Sequence, residues 1–305
     1  LRRGGGKLKL SDVLRGIDYR LVSGDRDIEI TKITYDSRKV EAGSLFICIS
    51  GFKTDGHMYV NEAIKSGAVA VLAEIEVDIQ PDAVLCVTSN TRLALSRLAA
   101  NFYHHPSQSL RVVGVTGTNG KTTSTHLIKT ILEEAGYKTS IIGTLYGMIG
   151  DRVMQMDNTT PEALELEEFM LESLQSGARY AVMEVSSHAL DLSRVEDIDF
   201  NVAVFTNLTQ DHLDYHQTME NYLRSKLRLF GMLSPDGKNF AVINADDAAA
   251  PDFIKASGGR CYTYGINNSA DVMAVDIKTG INLFSLDFIS VSKVFTCPIS
   301  SRFIF

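Results

Sequence analysis

The sequence predicts an α/β protein of two domains: a small α/β domain over 1–107 and a parallel-sheet domain over 108–305. Its 305 residues make about two domains at roughly 100 to 200 residues each. The composition, 45% hydrophobic and 22% charged with 23 glycines and 6 prolines, is that of an ordinary folded protein rather than a disordered or collagenous one. From Arg111 onward the apolar runs settle into a rhythm of strand, glycine turn and long helix, the mark of βα units in a parallel sheet.

In the first domain, short apolar runs at Ile28–Ile33, Leu45–Ile49, Ala68–Leu72 and Val84–Val87 read as strands, with one helical stretch over Asn61–Ser66. Thr91–Tyr103 reads as a second helix, stopped by His104-His105-Pro106, where proline biases its predecessor away from helical backbone. The domain boundary is placed there. The second domain offers strands at Val112–Thr116, Thr139–Gly143, Tyr180–Val185, Val202–Thr206 and Phe240–Asn244, with a helix over Thr122–Ala135. Val272–Val275 and Leu283–Val291 read as an antiparallel edge hairpin turning near Thr279-Gly280.

Composition narrows the function. A net charge of −7 has the wrong sign for general attraction to nucleic acid or an anionic membrane, so neither is expected as a partner. Cys48, Cys86, Cys261 and Cys297 stand far apart without a C-x-x-C pair, which fits a reducing compartment and argues against a zinc knuckle. No run approaches the roughly 18 apolar residues that span a bilayer, and the first residues carry no signal-type run, so a cytoplasmic location is expected. The absent initial methionine and the apolar ending Phe303-Ile304-Phe305 suggest truncation at both ends.

The strongest chemical signal is Val113-Gly114-Val115-Thr116-Gly117-Thr118-Asn119-Gly120-Lys121-Thr122-Thr123, an apolar strand running through a glycine turn into a helix. Such a turn lets backbone N–H groups face phosphate oxygens at a helix N-terminus, with Lys121 reaching the β- and γ-phosphates and the Thr122 hydroxyl free to ligate Mg²⁺. It is a variant of the usual phosphate-loop (P-loop) pattern, because Val115 stands where the first glycine is expected. Glu184 is a charged residue in the otherwise apolar run Tyr180–Val185, near the end of a strand where ligands bind in open α/β sheets. A carboxylate there suits Mg²⁺ beside a phosphate loop; the plainer alternative is a solvated strand end. His212 and His216 are spaced i, i+4 in Gln210-Asp211-His212-Leu213-Asp214-Tyr215-His216, but the glutamate of a zinc H-E-x-x-H helix is missing and zinc is the weaker option.

Taken together, Thr116–Thr123, Asn158-Thr159-Thr160-Pro161, Met183–Leu190, Asn207–His216, Met219–Tyr222 with Lys226, and Tyr35–Val40 make the chain resemble the Mur ligases from about Leu8 to Phe303, most of all the branch that adds the third residue of the peptidoglycan stem peptide. The resemblance implies an ATP-binding central domain in which Gly117, Thr118, Asn119, Gly120, Lys121, Thr122 and Thr123 bind ATP. It implies that Thr122 and Glu184 hold one Mg²⁺, that His212 holds a second, and that Lys226 is carbamylated, since an ammonium cannot ligate a cation whereas a carbamate presents anionic oxygens. Without the resemblance, Lys226 reads as a helix-surface lysine. Tyr35, Ser37, Phe52, Lys53 and Thr54 would touch the uridine nucleotide of a UDP-N-acetylmuramoyl dipeptide, and Asn158, Thr159, Thr160, Ser186 and Arg194 would line the rest. Each of these polar side chains could equally cap a helix or satisfy a loop, Thr160-Pro161-Glu162 being a passable helix start.

The implied activity is ATP-dependent formation of a carbon–nitrogen bond through an acyl phosphate, joining a free amino acid of the diaminopimelate or lysine type to the dipeptide. Lys121, Glu184, His212 and Lys226 would be the catalytic set. Two departures from the family pattern stand out: Leu192 replaces a glutamine two residues before Arg194, and Ser301 and Ile304 stand where glycine and asparagine are usual. The family's C-terminal amino-acid-binding domain is expected to be absent and the central domain incomplete at its C-terminal end. The rival readings are a non-catalytic nucleotide-binding fragment, the ligase adding the later stem residues, and a generic P-loop kinase or transporter ATPase.

Overall fold

A computed structural model describes residues 7–51, 54–279, 283–290 and 294–300; the expected hairpin turn at Gly280 and the departures at Ser301 and Ile304 lie outside them. In chain order the elements begin with β1 (Leu8–Lys9), α1 (Leu10–Val13), β2 (Arg20–Ser23), β3 (Glu29–Ile30), β4 (Lys32–Thr34), β5 (Ser44–Ile47), α2 (Val60–Lys65), β6 (Ala68–Ala73), β7 (Val84–Val87) and α3 (Thr91–Phe102). They continue with β8 (Arg111–Thr116), α4 (Lys121–Glu134), β9 (Thr139–Ile142), β10 (Gly147–Ile149), β11 (Arg152–Met154), α5 (Ala163–Gln175), β12 (Tyr180–Glu184), α6 (Ser187–Asp191) and β13 (Phe200–Phe205). Then follow α7 (Leu213–His216), α8 (Met219–Gly231), β14 (Phe240–Asn244), α9 (Ala250–Ala256), β15 (Arg260–Gly265), β16 (Val272–Thr279), β17 (Leu283–Ser290) and β18 (Val294–Ser300).

Two compact units result: 1–110 with 161–176 and 191–198, and 111–160 with 177–190 and 199–305. The first contains a five-stranded sheet in the order β2-β7-β6-β5-β4, parallel except for β2. The run Ile28–Ile33, read as one strand, is split between β3, which pairs with β1, and β4. Asn90 starts α3 by accepting the Leu93 N–H at 2.9 Å. The expected stop holds: His104 and His105 both turn to positive φ, and Pro106 opens the next turn. Leu95, Leu98 and Phe102 of α3 pack with Leu45, Ile47, Leu72 and the Ala163-Leu164 start of α5 into one buried cluster.

The second unit's sheet runs β11-β10-β9-β12-β8-β13-β14-β15-β16-β17-β18, parallel from β9 to β16 and antiparallel at both margins. The β16–β17 pair is the antiparallel hairpin expected of this stretch. Parallel strands buried on both faces demand continuous apolar runs, and β12 and β8 supply them. Val113, Val115, Val182 and Val204 cluster with Ile128 and Leu132 of α4, while Phe253 of α9 stacks on Phe205 and meets Phe230 of α8 edge-on. From β8 the chain goes to β9 on one side and later returns to β13 on the other, so the order reverses at β8. Ligands of open α/β sheets bind beyond the carboxyl end of such a switch point.

Candidate functional site

The turn between β8 and α4 is clamped from behind by the residues that follow β13. Thr118 donates its N–H to the Asn207 carbonyl at 2.8 Å, and its hydroxyl accepts from Thr209 N–H at 2.9 Å. The Asn207 side chain accepts from Asn119 N–H and donates to the Asn119 carbonyl, both at 3.0 Å, and Thr206 Oγ1 adds a 2.7 Å bond to that carbonyl. Gly117 has no alternative here: at φ +152°, a Cβ would lie 1.9 Å from Thr206 Oγ1. The loop is thus rigid before any ligand arrives.

Two lysines converge on it. Lys121 Nζ donates to the Gly117 and Thr118 carbonyls at 2.9 and 2.8 Å, and Lys226 Nζ donates to Gly117 at 2.9 Å. Lys226 is 1% exposed, which overturns its reading as a surface lysine. It stands one helical turn from Tyr222, whose ring lies 4.5 Å from its Nζ and whose hydroxyl is 3.3 Å from Thr118 Oγ1. Burial first, then the Lys121 charge, pushes the Lys226 pKa down to about 7 against the pull of Asp211. Burial also lowers Lys121, opposed by Glu184 and Asp211.

Glu184 ends β12 and is 1% exposed. Its Oε1 accepts from Thr122 Oγ1 and Thr144 N–H, both at 2.9 Å, and its Oε2 accepts from Thr144 Oγ1 at 3.1 Å. Thr118 to Thr122, Thr144, Thr159, Glu184, Ser186, His212 and Lys226 line one cavity of about 250 Å³. The expected Thr123 is exposed on α4 and Asn158 is exposed in its loop. Thr160 is buried, donates to the Glu184 carbonyl at 2.9 Å and accepts from Ser186 N–H at 3.0 Å. His212 is half exposed, its ring edge-on to His188, while His216 is buried with Nε2 2.9 Å from Ser187 Oγ. Among the described residues, no group of three or more His, Cys, Asp or Glu side chains is arranged to hold a metal ion.

The first unit carries its own cavity, about 590 Å³, lined by Tyr35, Ser37, Arg38, Thr54, Arg92 and Glu162 among others. Tyr35 donates to Glu165 Oε1 at 2.8 Å; burial and that carboxylate together push the phenol pKa well up. Arg194 pairs with Glu162 at 2.7 Å. Phe52 and Lys53 lie outside the described residues. A third cavity, about 230 Å³, opens past β14 and β15 between Tyr264, Ile266, Val272, Ala274, Asn244 and Asp246. Asn244 donates to the Thr206 carbonyl at 2.7 Å, so it is one residue from the clamp on the phosphate loop.

Sequence reasoning missed Thr144, Tyr222, Asn207 and Arg92. Tyr222 alone had a local signal, its i, i+4 spacing to Lys226; the others depend on strand order or long-range packing.

Residues 115–304 match the Mur ligase middle domain, and residues 29–103 match the catalytic domain of the Mur ligase family. Over 275 residues the chain is 54% identical to the UDP-N-acetylmuramoyl-L-alanyl-D-glutamate–2,6-diaminopimelate ligase of Syntrophomonas wolfei, covering 90% of this chain and 56% of that protein. It is 42% identical over 303 residues to the ligase of the same name from Bacillus velezensis, covering 97% and 61%. A solved structure of a ligase of that name superposes with a TM-score of 0.81 at 29% identity, over 95% of this chain and 59% of the other. The chain spans about half the length of the relatives it matches.

Proposed function

The chain belongs to the Mur ligase family, and from that premise we propose that it supplies the nucleotide-binding parts of an ATP-dependent ligase. The whole protein would join 2,6-diaminopimelate, the amino acid in the relatives' names, to UDP-N-acetylmuramoyl-L-alanyl-D-glutamate. The observation that carries the reading is the convergence of Lys121, Lys226 and the Thr122–Glu184 pair on one cavity beside the clamped loop. The run Glu184-Val185-Ser186-Ser187-His188 favours the dipeptide over the longer peptide precursor.

In this reading the loop N–H groups and Lys121 hold the β- and γ-phosphates of ATP, Lys121 exchanging its two carbonyl acceptors for phosphate oxygens. The third cavity, walled by Tyr264 and Ile266, takes the base. The dipeptide's free carboxylate attacks the γ-phosphorus, the bond to the β–γ bridging oxygen breaks, and ADP leaves an acyl phosphate. The amine of the incoming amino acid then displaces inorganic phosphate. The protein contributes position and charge neutralisation.

The residues present fit Mg²⁺. Glu184 is a buried carboxylate whose partners among the described residues are all neutral donors. The Thr122 hydroxyl spends its proton on Glu184, leaving its lone pairs for a cation. Thr122 and Glu184 would hold one ion, with His212 and a carbamylated Lys226 holding a second; when bound, the ions offset repulsion between triphosphate and carboxylate. A Lys226 pKa of about 7 leaves roughly half the amine unprotonated at neutral pH, the form that adds CO₂ with loss of a proton to give the carbamate. Tyr35, Ser37 and Thr54, which line the first unit's cavity, would hold the uridine diphosphate, and the family resemblance assigns Asn158, Thr159, Thr160, Ser186 and Arg194 to the remainder of that substrate. Among the described residues no helix is long and apolar enough to cross a membrane, and the nucleotide substrates accord with a cytoplasmic site of action.

The test is Lys121→Ala. In the full-length ligase it abolishes ATP turnover, a loss of roughly 2.7 to 4 kcal/mol or more, while UDP-dipeptide binding persists by calorimetry. Unchanged turnover refutes the assignment.

A further inference from the structure

Arg92 takes no part in the reading above, yet it and Arg38 are the only cations among the described residues that line the first unit's cavity. The two are differently committed. Arg38 grips Asp36 with its fork, Nε to Oδ1 and Nη2 to Oδ2 both at 2.8 Å, and its side chain is 83% exposed. Arg92 is half-buried, and its guanidinium makes two long contacts: Nη2 to the Ser50 carbonyl at 3.5 Å and Nη1 to Glu162 Oε2 at 3.8 Å. Neither has the geometry of a strong hydrogen bond. Glu162 already has a closer cation, since Arg194 Nη2 stands 2.7 Å from its other oxygen. Asp36 is spent on Arg38, and Glu62 is exposed to solvent. Arg92 is thus the cation of this cavity whose donors are left for a ligand.

Its place in the fold argues the same way. Arg92 is the second residue of α3, and the positive end of a helix is an unfavourable place for a cation. An anion in front of it is favoured by helix and side chain together. The first turn does not spend its backbone on that anion: Glu74 accepts the Thr91 N–H at 3.0 Å, and Asn90 accepts that of Leu93 at 2.9 Å. The guanidinium has to supply the hydrogen bonds, and its planar fork suits phosphate oxygens taken two at a time.

We propose that Arg92 binds the diphosphate of the UDP substrate, its fork exchanging the long Ser50 and Glu162 contacts for phosphate oxygens. Uridine is neutral, and its contacts fall to the uncharged side chains of Tyr35, Ser37 and Thr54. The diphosphate carries the charge, and Arg92 meets it. Glu162, itself held by Arg194, keeps the guanidinium against the cavity wall. This inference rests on the assignment of that cavity to uridine diphosphate made above.

The experiment is a pair of calorimetric titrations of the full-length ligase, one with UDP and one with uridine. The wild type is expected to bind UDP more tightly than uridine. In Arg92→Gln the UDP affinity falls about 10- to 150-fold, the worth of hydrogen bonds to a charged group, while the uridine affinity stays that of wild type. Arg92→Lys, which keeps the charge and loses the fork, recovers part of the loss. A merely structural role would weaken UDP and uridine by the same factor, and that result overturns the inference. So does an Arg92→Gln protein with wild-type UDP affinity, or a wild type that binds UDP no more tightly than uridine; both leave the functional reading standing. A wild type that binds neither UDP nor uridine overturns the inference and the assignment of the cavity together.

Discussion

Glu167 sits on the inner side of α5, 2% exposed, and neither carboxyl oxygen has a hydrogen-bond partner among the described residues. Burial, helped by the Asp197 carboxylate, pushes its pKa up to about 8 from an ordinary 4.5. Asp197 is itself buried, with its own pKa raised by that burial, and is ion-paired with Arg97. The folded protein therefore keeps a proton that the unfolded chain releases above about pH 4.5, and stability falls as pH rises until the folded group also ionises near 8. At about 1.4 kcal/mol per pH unit, the penalty is on the order of 3 kcal/mol at pH 7 and 5 kcal/mol above pH 8. Glu167→Gln copies the neutral acid in shape and has no charge to expose. Urea unfolding of both proteins, followed by circular dichroism from pH 5 to 9, checks this. The two should be within about 1 kcal/mol at pH 5, with the variant pulling ahead as pH rises and the gap levelling beyond pH 8. A gap that does not change with pH, or a variant less stable than wild type at pH 8, refutes the assignment of a buried neutral acid.

Two more expectations concern the phosphate loop. Gly117→Ala drives a Cβ into Thr206 Oγ1 at a positive φ, costing about 1 to 3 kcal/mol of backbone strain besides the bond from Thr206 to Asn119; nucleotide affinity by calorimetry should drop at least about tenfold, with UDP-dipeptide binding unchanged. With ¹³C-labelled bicarbonate, the wild type should show a carbamate carbon resonance that grows from pH 6 to 8, as the Lys226 amine deprotonates about its pKa of about 7, and that is absent from Lys226→Ala.

What could be read from the sequence is what is written locally. The glycine turn between an apolar strand and a helix, the charge at the end of β12 and the proline stop after α3 each need only a few neighbouring residues, and each stands where its pattern puts it. The return of 161–176 and 191–198 to the first unit is different. The apolar periodicity of α5 says that one face is covered without saying by what, and the Tyr35–Glu165 bond spans 130 residues. Asn207 was visible only as part of a polar stretch, since its clamp on Asn119 exists because β13 lies next to β8.

Lys226 and Thr144 show where the divide falls at the site itself. Each is an unremarkable residue by composition, and each is placed by topology rather than by its neighbours in sequence. Lys226 is buried because α8 passes behind the phosphate loop, so that Gly117, 109 positions earlier, accepts its proton. Thr144 reaches Glu184 because β12 inserts between β9 and β8, making the residues that follow β9 the adjacent wall of the carboxylate. The same insertion puts Glu184 beside both the loop after β8 and the turn after β9, so its two oxygens are held by Thr122 on one side and Thr144 on the other. A carboxylate with both oxygens bonded in this way has little freedom to rotate, which is what the cation proposed above would require. Strand order, through that one insertion, sets a lone glutamate between two hydroxyl-bearing loops and makes it a candidate site.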